Sequence, residues 1–363
     1  MKALSEKPDG RRKDSGLKYK MLKSGIEDIR EIINICLKKY PCDVDIRYDE
    51  PMFKHTTFKV GGPADCWLRP SGDTFPYFSA CLLSYARTGG IPFFILGGGA
   101  NIVVSDKGIR GIVLDTGAWK GSSVTEDGLV IKSGTSLDDA AECAAAMGLT
   151  GLEFLAGMPG SIGGAVWMNA RCYGKEIADV LVWTEIANNS KELGIRNEEL
   201  GIRNEGIANN SDGLGKSGGV VVRRVVTGQG FGYKRSPFQI MDCLVLVGCF
   251  KLAAGDENEI RNEMEKNRRD RKEKGHYLFP CAGSAFKNNR DFGKPTGQII
   301  DELGLRGFQL GGAQIAPFHG NIVINTGGAS AADIRALMNE AAAKVKTATG
   351  FVLEPEILFV GEE

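Results

Sequence analysis

The residues most able to do chemistry in this chain are glycines with polar neighbours. Of 363 residues, 49 are glycine, a share well above the globular average. Three clusters stand out: Gly61–Asp65 (GGPAD), Ile95–Asn101 (ILGGGAN) and Gly157–Gly164 (GMPGSIGG), each beside apolar runs. Glycine lets the backbone approach a ligand closely and aim successive N–H groups at it. Such nests hold pyrophosphate oxygens without Lys or Arg, and Asn101, Ser161 and Asn169 add neutral donors.

Competing chemistries are poorly supplied. The sequence holds only three histidines, His55, His276 and His319, and no Cys-x-x-Cys pair among nine cysteines. That argues against zinc and for reduced, cytoplasmic thiols. The GGGANI run puts Ile102 where a Rossmann fingerprint needs its third glycine. Gly215–Gly219 matches a nucleophile elbow as a string, but lacks the strand before Ser217 and the helix after it. Lys+Arg and Asp+Glu are both 45, which disfavours a nucleic-acid binder. No apolar run is long enough to span a bilayer, and the basic start has no signal-peptide core.

These loops need elements to position them. Hydrophobic spacing predicts helices over 25–39, 137–147, 256–274 and 330–349, with Gly148 ending the second and Ser330 and Asp333 forming a capping box on the last. Strands are expected at 108–115, 129–132, 180–186, 220–226, 244–250 and 352–360. The order, β-rich and then α/β, reads as α+β. Residues 1–25 read as a disordered basic tail. Within 188–219 the heptad ELGIRNE occurs twice in succession, and the segment reads as a surface loop inserted between two strands.

ILGGGANIVVSD followed by GLEFLAGMPGSIGGAVWMNA resembles the UDP-N-acetylenolpyruvoylglucosamine reductase (MurB) family, in its shorter class. The likeness continues through GYKRS (232–236), AGSAFKN (282–288), HGNIVIN (319–325) and LEPE (353–356). It implies a PCMH-type (vanillyl-alcohol-oxidase-like) FAD-binding region over 26–250 and a C-terminal α/β substrate-binding domain over 251–363, whose last strand returns to the active site. It further implies a cytoplasmic, monomeric enzyme with non-covalent FAD and with NADPH as hydride donor. The reaction would reduce the enolpyruvyl ether of a UDP-sugar to UDP-N-acetylmuramate for peptidoglycan.

By the same resemblance, Gly97, Gly98, Gly99, Ala100, Asn101 and Ile102 hold FAD, as do Gly157, Pro159, Gly160, Ser161, Gly163, Gly164, Ala165 and Asn169. Arg235, Ser284 and Glu356 are catalytic: a cation for the developing charge, a proton donor, and an acid on the last strand. Tyr233, Lys274 and Asn288 meet the substrate. The rest of the basic stretch Arg268–Lys272 reads as a solvated helix face. The chain departs from the family at Arg171-Cys172, where Gly-Ala is usual; a positive φ at Arg171 would be strained. Asn289 stands where proline is common and Gln298 where lysine is expected. The alternative reading is an alcohol oxidase of the same fold, with His55 as the only candidate to tether flavin.

Overall fold

The computed structural model describes residues 25–189, 220–226 and 230–362. Its first sheet orders Asp43–Pro51, Pro63–Ser71, Ile109–Asp115 and Phe93–Leu96, antiparallel at the first pairing and parallel thereafter. Helices Ile26–Lys39 and Phe75–Gly89 cover it. The second helix is missed by periodicity because Phe75, Phe78, Ala80, Leu82, Leu83 and Ala86 bury most of its circumference.

A second, fully antiparallel sheet places Cys243–Phe250 between Leu181–Asn189 and Gly128–Lys132, with Val220–Val226 and Ser122–Thr125 outermost. Every residue of Cys243–Phe250 is buried, as a continuous apolar run requires in a central strand. Asn188 and Asn189 belong to a strand that pairs directly with Val220–Val226. The repeat-bearing segment therefore starts at 190 rather than 188; residues 190–219, Ser217 included, and the tail 1–24 lie outside the described residues.

The C-terminal sheet orders Cys281–Ser284, Ile322–Asn325, Ala313–Ile315 and Gln309–Leu310. Helix Ala331–Thr349 packs on it. Ser330 and Asp333 form the expected capping box. Two features tie this part to the first. Leu358–Val360 pairs in parallel with Ile102–Val104, bringing the chain end beside the ILGGGAN loop. Phe58, Val60 and Val103 enter the C-terminal core. Helix Glu257–Glu273, expected with the second part, packs Ile260 and Met264 into the core of the first. Its Arg261 and Arg268 pair with Glu142 on helix Leu137–Ala146.

Candidate active site

A cavity of about 590 Å³ is lined by the ILGGGAN loop, the loop and helix start at 158–165, the 170–173 turn, Lys234, the C-terminal end of helix Glu257–Glu273, Ser284 and Glu356. The two glycine loops face each other at very short range. A Cβ on Gly98 would sit 2.6 Å from Gly160 Cα, and one on Gly97 would sit 2.6 Å from Ser161 Oγ. The glycines thus let two loops close on each other and form one wall. The Gly61–Asp65 cluster does something else: a Cβ on Gly62 would meet Asp106 O at 2.1 Å, so this turn packs against its neighbour, away from the cavity.

The wall suits a flavin nucleotide. Gly97–Ile102, Pro159, Gly160, Ser161, Gly163, Gly164 and Ala165 all line it. Ser133 lines it too, is 1% exposed, and its hydroxyl has no partner in the protein. A buried hydroxyl left unpaired is costly, and Ser133 Oγ is a group that a cofactor oxygen or nitrogen bound at this wall would satisfy.

Two expected cofactor residues have other duties. Gly157 does not line the cavity: its N–H donates to Asp138 Oδ1 at 2.7 Å, and its carbonyl accepts from Arg271 Nε and Tyr277 Oη. Asn169 is fully buried, donating Nδ2 to Gly232 O at 2.9 Å while Oδ1 accepts the Ala178 N–H. Asn169 therefore anchors the 230–235 loop. Asn101 stays at the cavity, and its Nδ2 donates to Glu356 O at 3.0 Å.

Across from the loops, Glu356 is 8% exposed, and its carboxylate meets Lys234 Nζ at 2.6 Å. Its backbone is held on both sides, N–H to Ala285 O and carbonyl from Asn101. Glu356 was expected within a strand over 352–360; the strand begins only at Leu358, and Glu356 occupies the extended approach to it. Ser284 ends strand Cys281–Ser284 and lines the same cavity.

The cation that lines the cavity is the neighbour of the expected one. Arg235 is exposed and does not line the cavity; Lys234 does. The reason is local. Gly232 and Arg235 exchange two backbone hydrogen bonds, so Tyr233 and Lys234 form the turn, with Lys234 at φ 56. Gln239 Nε2 donates to Lys234 O at 3.1 Å and Ser236 Oγ donates to Trp167 O at 2.6 Å, fixing that turn.

Of the expected substrate residues, Lys274 lines the cavity with Nζ 2.8 Å from Asp270, and its hydrogen bond holds the Asp270 carboxyl below the usual range. Tyr233 is 40% exposed and accepts the Asn288 N–H at 3.2 Å. Asn288 lines an adjoining cavity of about 380 Å³, shared with Ser284 and His319. Arg171 also lines the main cavity, with its guanidinium 5.9 Å from the Tyr233 ring centre. It carries no positive φ; Asn169 (φ 46) and Tyr173 (φ 51) do, so the expected strain is absent. His276 lines the wall, and burial followed by the Arg271 charge pushes it down to about 4. His55, the alternative flavin tether, lies outside this lining: Nε2 is 3.0 Å from Glu50, and the ring packs on Trp67.

The chain is 38% identical over 340 residues to the UDP-N-acetylenolpyruvoylglucosamine reductase of Treponema pallidum, covering 87% of this chain and 94% of that one. The chain belongs to the UDP-N-acetylenolpyruvoylglucosamine reductase family. The reductase of Caldanaerobacter subterraneus subsp. tengcongensis is 35% identical over 333 residues, covering 92% and 99%. The family model for the C-terminal domain of this reductase matches residues 274–360, and that of an FAD binding domain matches residues 80–192. The crystal structure of the MurB reductase from Thermus caldophilus aligns with TM-score 0.62 and 28% identity, over 88% of this chain and 99% of that one. The fold is thus an FAD binding domain joined to the reductase C-terminal domain, as in the MurB structure.

Proposed function

We propose that this reductase converts the enolpyruvyl ether of UDP-N-acetylglucosamine to UDP-N-acetylmuramate, with FAD as cofactor and NADPH as reductant. The observation that carries the reading is the Lys234–Glu356 pair, which shares one cavity with Ser284 and the paired glycine loops. When bound, FAD supplies hydride transfer from NADPH to the alkene carbon remote from the substrate carboxylate.

The chain's own residues manage the charge and the proton. As hydride arrives, negative charge grows toward the carboxylate, and the Lys234 ammonium is placed to stabilise it. Glu356 keeps that ammonium oriented inside a largely apolar cavity. Its own burial is tolerable because the charge is paired. Ser284 delivers the proton to the adjacent carbon. Serine is a weak acid, so its contribution is placement beside a strongly basic centre. Lys274 and Asn288, on either side of Ser284, are assigned to the sugar and diphosphate, and Tyr233 braces Asn288. We take the enzyme to act on this nucleotide sugar in the cytoplasm, as a monomer.

The half-reactions test these roles. In Ser284→Ala, NADPH should bleach the flavin at the normal rate, while reoxidation by the enolpyruvyl substrate falls by about a hundredfold or more. Normal rates in both halves remove Ser284 from the proton step.

A further inference from the structure

Helix Glu257–Glu273 buries a narrow stripe of Ile260, Met264, Asn267 and Arg271. The first two fill the core, and Asn267 donates to Glu153 O at 2.9 Å. Arg271 is the exception in the stripe. It is 9% exposed and lines the main cavity. Its Nε donates to Gly157 O at 2.9 Å, and its Nη1 has only the Cys172 sulfur, 4.0 Å away. No carboxylate among the described residues pairs with it. The nearby acids are taken: Asp270 by Lys274 and Tyr173, Asp138 by Arg268, Glu356 by Lys234. The neighbouring His276 is held neutral by burial and adjacent cations, so it neither neutralises nor shares the charge.

A buried guanidinium with most of its donors free and no counter-charge is expensive to maintain. Such a fork is built to receive a delocalised anion. Its Nε is fastened to the carbonyl that begins the GMPGSIGG loop, whose following residues Met158–Ser161 line the cavity. We propose that Arg271 supplies the counter-charge to an anionic part of bound FAD, either the pyrophosphate or the pyrimidine edge of the ring that gathers charge on reduction. The proposal rests on FAD being the cofactor.

Two variants test it. Arg271→Gln keeps a donor for Gly157 O and removes the charge; Arg271→Lys keeps the charge and removes the fork. FAD and ADP are titrated into each deflavinated protein, and the midpoint potential of bound FAD is measured in each holoenzyme. Arg271→Gln should weaken FAD binding by about tenfold to a hundredfold or move the potential negative, with partial rescue in Arg271→Lys. If the partner is the pyrophosphate, ADP binding weakens with FAD binding and the potential holds. If it is the ring, ADP binding holds and the potential falls. In the unaltered protein, phenylglyoxal labelling of Arg271 should drop when FAD is bound. Labelling indifferent to FAD, or Arg271→Gln with unchanged affinities and potential, overturns the proposal. A wild-type protein that takes up no FAD contradicts the cofactor reading itself, which separates the two failures.

Discussion

At the scale of the residue, the cavity is defined by which cations have partners. Lys234 is paired, nearly enclosed and held in a left-handed turn, with Gln239 donating to its carbonyl and Ser236 donating to Trp167 O on helix Ile162–Met168. The neighbouring Arg235 is exposed. Lys234→Ala should lower the rate of substrate reduction by about 10²–10³-fold, the usual effect of deleting one charge-stabilising donor. Flavin content should be retained, and Arg235→Ala should stay within about threefold of wild type in the same steady-state assay. The reverse ranking would return the role to Arg235. The sequence GYKRS shows two adjacent cations, and only the Gly232–Arg235 turn decides which one points inward. Arg271 was hidden differently. Among five basic residues it reads as solvated surface, although its 260–264–267–271 spacing marks the buried stripe of the helix.

At the scale of elements, the glycine loops are legible because their spacing is unusual, whereas their reason is only partly so. Gly97 and Gly98 permit loop-to-loop contact at the cavity wall, and Gly62 serves a turn away from the cavity. Strands with continuous apolar runs, such as Cys243–Phe250, and helices with an amphipathic period, such as Ala331–Thr349, are evident from sequence. Short elements set by long-range pairing are harder to read: Ile102–Val104 was not expected, and of the strand expected over 352–360 only Leu358–Val360 forms, where it pairs with Ile102–Val104. The hairpin of Leu181–Asn189 with Val220–Val226 carries its own prediction. The two strands pair from Asn189↔Val220 onward, so a short turn can replace residues 190–219. That deletion should leave FAD stoichiometry unchanged by absorbance; apo-protein would show that the segment supports the fold.

At the scale of the whole molecule, the two halves are joined by contacts of which one, Asn101 to Glu356, also builds the site. Asn101 holds Glu356, Thr57 Oγ1 donates to Cys281 O at 2.7 Å, and the Asp106 carboxylate accepts the first N–H groups of helix Ala331–Thr349. Stability should follow the groups whose ionisation folding perturbs. His276 falls from 6.5 to about 4 on folding. Between those values the unfolded chain binds more protons, so this contribution is present above pH 6.5 and lost as pH drops toward 4. Asp333 acts in the same direction lower down, because the Ser330 and Gly312 N–H groups hold its carboxyl below 3.8. Melting temperature should therefore fall on acidification from pH 6.5, less steeply in His276→Asn. Equal slopes in the two proteins would show that His276 does not drive this limb.

The central claim is that this chain carries FAD and passes reducing equivalents from NADPH to an enolpyruvyl UDP-sugar. An anaerobic absorption experiment on the purified protein tests it most directly. The protein should be yellow, lose its flavin absorbance on adding NADPH, and regain it on adding one equivalent of the substrate, with UDP-N-acetylmuramate formed in step. A protein that binds no added FAD, or a reduced flavin that the substrate leaves bleached, would contradict the account.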